Sequence, residues 1–283
     1  MKKIVFLTLI FSFFLNCQTL LANGPTEDPS RLEWSANDGP LKAILVVGPQ
    51  EDGTADAIKE MDRLANFLHD NGVRIRRFYD EDAIWEDITA ISKHANIFVY
   101  AGHGSTRGPN GTGGLSLQSS VSNTNIIDEM ELAPNAIVLF QSVCRGAGSS
   151  AGDDDDIGVE IAGKRVTEYA KPFFSVGASV YFANNYTDGC LKFMENLFEG
   201  KTLEESYLEA VNPWNSVEFT REFPSYSERS ISISSNPGGG KATRITYTNG
   251  VRSEEEIITP KGYDIAFAGP PDFTLSVLTG EHP

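Results

Sequence analysis

AIVLFQSVCRGAGSS, residues 136–150, is the stretch on which the reading of this chain turns. The apolar run AIVLFQSV has no polar alternation, the pattern of a strand covered on both faces of a sheet. It ends on a lone cysteine, and Arg-Gly and a series of small residues follow at once. A core cysteine has no need of such a loop, whereas a reacting one does. A rigid strand fixes the sulfur of Cys144, and Gly146, Ala147, Gly148, Ser149 and Ser150 are expected to leave room for a substrate backbone.

Outward from this strand the pattern repeats. KAILVVG (42–48), VRIRRFY (73–79) and NIFVYAG (96–102) read as three earlier strands, and PFFSVGASVYFA (172–183) as a fifth strand region. Between them lie helical periods. Residues 54–72 place Ile58, Met61, Leu64, Ala65 and Leu68 on one face, and Gly72 closes the helix. Residues 80–95 align Ile84, Ile88 and Ile91 behind an acidic first turn, and 159–170 align Val159, Ala162, Val166 and Tyr169. TLEESYLEAV (202–211) opens with a capping box, Thr202 and Glu205. Strands alternating with helices predict an α/β fold with a mostly parallel sheet and helices on both faces.

From about residue 229 the texture changes. RSISISS, ATRITYT and VRSEEEII alternate at period two, with Asn249-Gly250 as a turn, and predict a small antiparallel meander. GYDIAFAGPPDFTLSV (262–277) reads as one more strand, returning to the sheet or capping its edge.

The start of the chain reads as an export leader: a basic MKK, an apolar IVFLTLIFSFFL and a small-residue cleavage site after Ala22. Cys17, in FLNC, loosely resembles the lipid-bearing cysteine of a bacterial lipoprotein signal, so lipid attachment there stays an alternative to cleavage. The organisation that follows is a leader at 1–22, a linker at 23–40 and an α/β domain at 41–228. A meander and final strand at 229–283 complete the same domain. No later segment reads as transmembrane.

The 283 residues carry 23 basic and 39 acidic side chains, a net charge of −16, and the leader holds Lys2 and Lys3 but no acid. Such acidity argues against nucleic acid or an anionic membrane surface as partner and suits a cationic or peptide substrate, or simply solubility. Beyond Cys17 only Cys144 and Cys190 occur, too few for a disulfide framework. Either they pair once or at least one is a deliberate free thiol; Cys190 reads as core. His69 and His94, at helix ends, read as structural.

Chemistry in an open α/β sheet gathers beyond the carboxyl ends of its strands. Two strands end there on reactive side chains, His103 in YAGHGS and Cys144 in QSVCRG. An imidazole beside a thiol can hold the thiolate and protonate a leaving amine, and Gly104, without a Cβ, can bring its N–H to an oxyanion.

A strand ending in His-Gly and a following strand ending in Cys resemble the caspase-like cysteine peptidases, the group of caspases, metacaspases, gingipain-type peptidases and CHAT domains. The resemblance runs from about Ala43 to Ala210 and includes GGLSLQSS, LAPNAIVLFQSVCRG and PFFSVGASVYFANNY. The late AFAGPPDFTL is faintly similar to a GDP-containing strand of gingipain-type enzymes, with Pro271 in place of the Asp. The resemblance implies a three-layer caspase-like fold, with His103 as catalytic histidine, Cys144 as nucleophile and Gly104 at the oxyanion hole. It also implies a peptide or protein substrate. Basic-specific relatives often carry Asp where this chain has Ser142, which leaves the residue preferred before the cut open. Ser142, Asp153 and Asp154 are the candidate substrate-binding residues.

The run Asp153 to Asp156 has three readings: a solvated loop, an acidic wall selecting Lys or Arg, or a Ca²⁺ site, since some relatives need calcium. It lacks EF-hand spacing, and no cofactor is required by the sequence. Lys164-Arg165 is a candidate self-cleavage point, because many relatives cut themselves in this region. Two motif matches fail. GGGKAT has no Ser or Thr directly after Lys241 and is no phosphate loop. Residues 148–152 fit G-x-S-x-G but float past the strand end, away from any strand-to-helix elbow. The expectation is an exported cysteine endopeptidase with a preference for a basic residue before the cut. A non-catalytic binding or scaffold domain of the same fold is the alternative, and a serine esterase using Ser150 is the third class.

Overall fold

Four apolar runs of the sequence become the centre of one sheet. In the computed structural model these are β1 (Lys42–Val47), β3 (Ile97–Ala101), β6 (Ala136–Gln141) and β7 (Ala178–Asn184), and every residue in them is buried. The structure describes residues 41–104, 113–150, 152–153, 156–211, 216–224, 226–238, 241–248, 251–258 and 261–279. The leader, the linker, Cys17, Asp154 and the Asn249-Gly250 turn lie outside them.

The remaining strands are β2 (Arg74–Tyr79), β4 (Leu115–Ser116), β5 (Ser120–Val121), β8 (Ser216–Phe223), β9 (Tyr226–Asn236), β10 (Lys241–Thr248), β11 (Val251–Ile258) and β12 (Gly262–Gly269). The helices are α1 (Thr54–Asp70), α2 (Trp85–Ser92), α3 (Asn123–Glu129), α4 (Val159–Ser175), α5 (Gly189–Phe198), α6 (Leu203–Ala210) and α7 (Ser276–Thr279). Eight strands form the main sheet in the order β2-β1-β3-β6-β7-β12-β9-β8. The pairings from β2 to β7 are parallel, and those through β12, β9 and β8 are antiparallel. The architecture is mixed α/β with a large, mostly parallel sheet and a separate antiparallel pair, β10–β11.

Helices cover both faces, because alternate strand residues are apolar in both directions. Leu45, Val99, Leu139 and Phe182 meet Met61, Leu64 and Leu68 of α1, Phe193 and Leu197 of α5, and Tyr207 of α6. On the opposite face Phe98 and Phe140 pack edge or tilted against Phe173 of α4, and Phe140 also against Tyr169. Rings at 5.5–5.7 Å in such geometry add to plain area burial.

Several expectations are corrected. PFFS does not belong to a strand: α4 runs on through Pro172 to Ser175. Proline cannot donate to the carbonyl one turn back, that of Glu168, and Asn123 Nδ2 donates to it instead at 3.1 Å. Ile84 does not share the buried face of Ile88 and Ile91. It precedes α2 and is exposed, while those two are buried. The expected meander is split. β9 enters the main sheet beside β12, and only β10 and β11 form a ribbon of their own. The last strand stops at Gly269, so PDFTLSV is turn and short helix. Cys144 and Cys190 are both free thiols. Among the described residues no helix is long and apolar enough to cross a membrane.

Candidate active site

Ala101 and Gln141 are register partners at the ends of β3 and β6, so the chain leaves both strands at the same height. His103 follows one exit and Cys144 the other. The two exits touch: a Cβ placed on Gly104 would lie 2.3 Å from the Cys144 carbonyl oxygen and 2.3 Å from the Tyr169 hydroxyl. Only glycine allows that approach.

Cys144 is held by an unusual backbone. Ser142 and Arg145, on either side of it, have φ of 55° and 67°, the left-handed region that non-glycine residues rarely enter. Such conformations cost roughly 1–3 kcal/mol each and persist only where the surroundings over-determine them. Here they do. Ser142 N donates to the Asn184 carbonyl at 2.7 Å, and Arg145 N to the Ser149 carbonyl at 2.7 Å. The Tyr169 hydroxyl donates to the Cys144 carbonyl at 3.1 Å, and the Tyr181 hydroxyl to that of Gly146 at 2.9 Å. The sulfur-bearing turn is thus tied to α4 and β7, with the thiol half-buried.

His103 is exposed, and its backbone is fixed: its carbonyl accepts from the Tyr100 hydroxyl at 2.8 Å and from Ser116 N at 3.2 Å. Burial pushes the Tyr100 phenol far up, so it stays a neutral donor. The hairpin of β4 and β5 closes over this corner through the same hydroxyl, which accepts from Ser116 N at 3.0 Å.

The small residues after the cysteine do something other than leave space. Gly146, Ala147 and Gly148 are buried. A Cβ on Gly148 would stand 2.9 Å from the Cβ atoms of both Ala162 and Tyr263. They let the turn press against α4 and β12, and only Ser149 and Ser150 reach the open cleft. That cleft, about 400 Å³, is also lined by Cys144, Ser142, Asp153 and Asp264.

Of the predicted residues, the structure brings Gly104, next to the exposed His103, against the Cys144 carbonyl at one edge, and places Ser142 and Asp153 in the cleft beside it. Asp153 is not a bare acidic wall. Its two oxygens take both terminal nitrogens of Arg165 at 2.7 and 2.9 Å, and Ser150 N donates to it at 2.8 Å. Lys164-Arg165 is mid-helix, with Arg165 only 6% exposed, which removes it as a cleavable bond of the folded chain. Cys190 is core, as expected, and burial pushes its thiol strongly up. Ser150 sits in an irregular turn whose Oγ accepts from Gly152 N, and α4 begins only at Val159, so no nucleophile elbow is present there. Among the described residues no group of three or more His, Cys, Asp or Glu is arranged to hold a metal ion.

Sequence reasoning placed the strand β12 but missed its part in the cleft. Asp264 and Asn185 line the cleft, and neither was singled out. The available signal was Asp264 itself, a lone acid in the otherwise apolar strand GYDIAFAG. No family model matches the chain, and a search of curated proteins finds no similar sequence.

Proposed function

We propose that the chain is an exported, caspase-like cysteine endopeptidase in which Cys144 is the nucleophile and His103 the general acid–base. One observation carries the reading. Cys144 is clamped between two left-handed residues after β6, its carbonyl against Gly104, the residue after His103 at the end of the neighbouring parallel strand, on the rim of a cleft. Strain of this kind is spent where a side chain must be aimed.

The Cys144 thiolate attacks the scissile carbonyl carbon, and the new C–S bond pushes its electron pair onto oxygen. The Gly104 and Cys144 N–H groups hold that oxyanion. As it collapses, the C–N bond breaks and His103 gives its proton to the leaving amine. Water then loses a proton to His103, attacks the thioester and releases the acid and the thiolate. The net charge of −16 draws cationic peptides toward the molecule, in keeping with a basic residue before the cut.

The test is hydrolysis of a fluorogenic tetrapeptide library, with reductant, with and without calcium. Cys144→Ala is expected to abolish cleavage, and His103→Ala to lower it about 10²–10⁴-fold. A chain that cleaves nothing while iodoacetamide readily alkylates Cys144 is instead a binding domain. Sensitivity to a fluorophosphonate that survives in Cys144→Ala would point to Ser150.

A further inference from the structure

We infer that Asp264 is the specificity-determining carboxylate of the cleft, taking the ammonium or guanidinium of a Lys or Arg side chain immediately before the scissile bond. The inference rests on the peptidase reading and assigns its substrate class to a residue.

Its first support is backbone geometry. β9 pairs Ser235 with Tyr263 and Ser234 with Ile265, so Asp264 has no partner of its own and is the extra residue of a β-bulge. A bulge interrupts a ladder in order to re-aim a side chain. On β12 the re-aimed side chain is the one acid of an apolar strand, and it faces the cleft that Cys144 lines.

The second support is what the carboxylate touches. Its Oδ1 accepts from Asn185 Nδ2 at 3.1 Å and its Oδ2 from the Tyr186 hydroxyl at a long 3.5 Å. Both donors are neutral, and among the described residues no cation lies within ion-pair distance of it. Asp153, the other acid of the cleft, is already matched by Arg165. Lys261 also lines the cleft, with its ammonium 5.6 Å from the Tyr263 ring centre. Gly262 keeps one side of Asp264 uncovered, since a Cβ there would stand 2.8 Å from Oδ2. An ionised carboxylate only accepts, and each oxygen has capacity beyond its one neutral donor. A substrate guanidinium supplies both the missing charge and two parallel donors, and an ammonium supplies the charge.

The experiment uses the chain as exported and acyloxymethyl ketone tetrapeptides that differ only in the residue beside the warhead: Arg, its neutral isostere citrulline, Lys, or its neutral isostere norleucine. The Cys144 thiolate displaces the carboxylate of the warhead, and intact mass gives the rate of adduct formation. Wild type is expected to react with Arg and Lys peptides roughly 100-fold faster than with the isosteres. Asp264→Asn is expected to bring the two within about threefold, while iodoacetamide still alkylates Cys144 at the wild-type rate. Asp264→Glu, which keeps the charge should the amide perturb the bulge, is expected to retain the basic preference at reduced rate. Equal rates for charged and neutral peptides on wild type, or an undiminished preference in Asp264→Asn, overturn the role of Asp264 and leave the peptidase standing. No peptide adduct at a thiol that iodoacetamide reaches overturns both.

Discussion

At Gly104 the chain runs so close to the turn after β6 that one methyl group decides whether the two halves of the site can meet. Its absent Cβ would occupy the place of the Cys144 carbonyl oxygen, which is backbone and cannot swing aside. The Tyr169 hydroxyl fills the other flank while donating to that same carbonyl. Gly104→Ala must therefore push β3's exit away from Cys144. It is expected to cost about 1–3 kcal/mol of stability, as overpacking does, and to lower peptide hydrolysis at least about tenfold. Thermal unfolding and cleavage rate, taken on the same sample, check both halves. An alanine variant with unchanged midpoint would show that the approach is looser than it looks. Part of this was legible beforehand: His-Gly and Cys at the ends of two successive strands mark where they converge. The strain at Ser142 and Arg145 was not legible, because nothing in Ser or Arg announces a left-handed backbone that hydrogen bonds to the Asn184 and Ser149 carbonyls impose.

Between elements, the tie that matters most for the cleft joins the turn after Cys144 to α4. Arg165 lies on the buried face of that helix and reaches the Gly148 carbonyl at 2.9 Å as well as both Asp153 oxygens. Its side chain is 7% exposed and that of Asp153 10%, so the pair is shielded from water. Breaking one partner of such a pair strands the other charge, at about 3–5 kcal/mol. Arg165→Met is expected to destabilise by that order in chemical denaturation, and Asp153→Asn with Arg165→Met to recover a large part of the loss. Additive losses would mean that the two side chains act independently. The same contact explains why an Asp run in a loop misleads. The charge count is in the sequence, but its neutralisation by a residue one helix away is not. Elements with a strong period, β1, β3, β6 and α1, were readable because burial on one or both faces writes the pattern directly. α3 was not: it is short, polar and held by a Ser122–Asn125 capping box, so it reads as loop. β9 was misassigned for a different reason. A period-two pattern shows that a strand exists but says nothing of its partner, and β9 lies between β12 and β8.

Across the whole molecule the excess of acid has a consequence for stability. Two carboxyl groups in opposite layers are partly shut away from water: Glu60 of α1 and Glu168 of α4. Loss of hydration is the main cause that raises each above its usual 4.5, with the nearby Asp188 adding to it at Glu60. Lys164 works the other way at Glu168 but stands 3.9 Å off, and Glu168 Oε2 has no hydrogen-bond partner. In the unfolded chain both acids ionise more readily than in the fold. Below pH 4.5 both are protonated in either state and cost nothing. As pH climbs through 4.5 the unfolded chain gives up its protons first, and stability falls until the raised folded values are passed. Self-repulsion of a chain at −16 acts in the same direction near neutrality. Glu60→Gln with Glu168→Gln should therefore raise the unfolding midpoint at pH 7.5 and leave it almost unchanged at pH 4. Each single variant should give part of the effect, because the two sites lie in separate layers and share no partner. A gain of equal size at both pH values would trace the stabilisation to packing of the amide instead, and a loss at pH 7.5 would show that Lys164 and Arg63 more than offset the burial of the two charges.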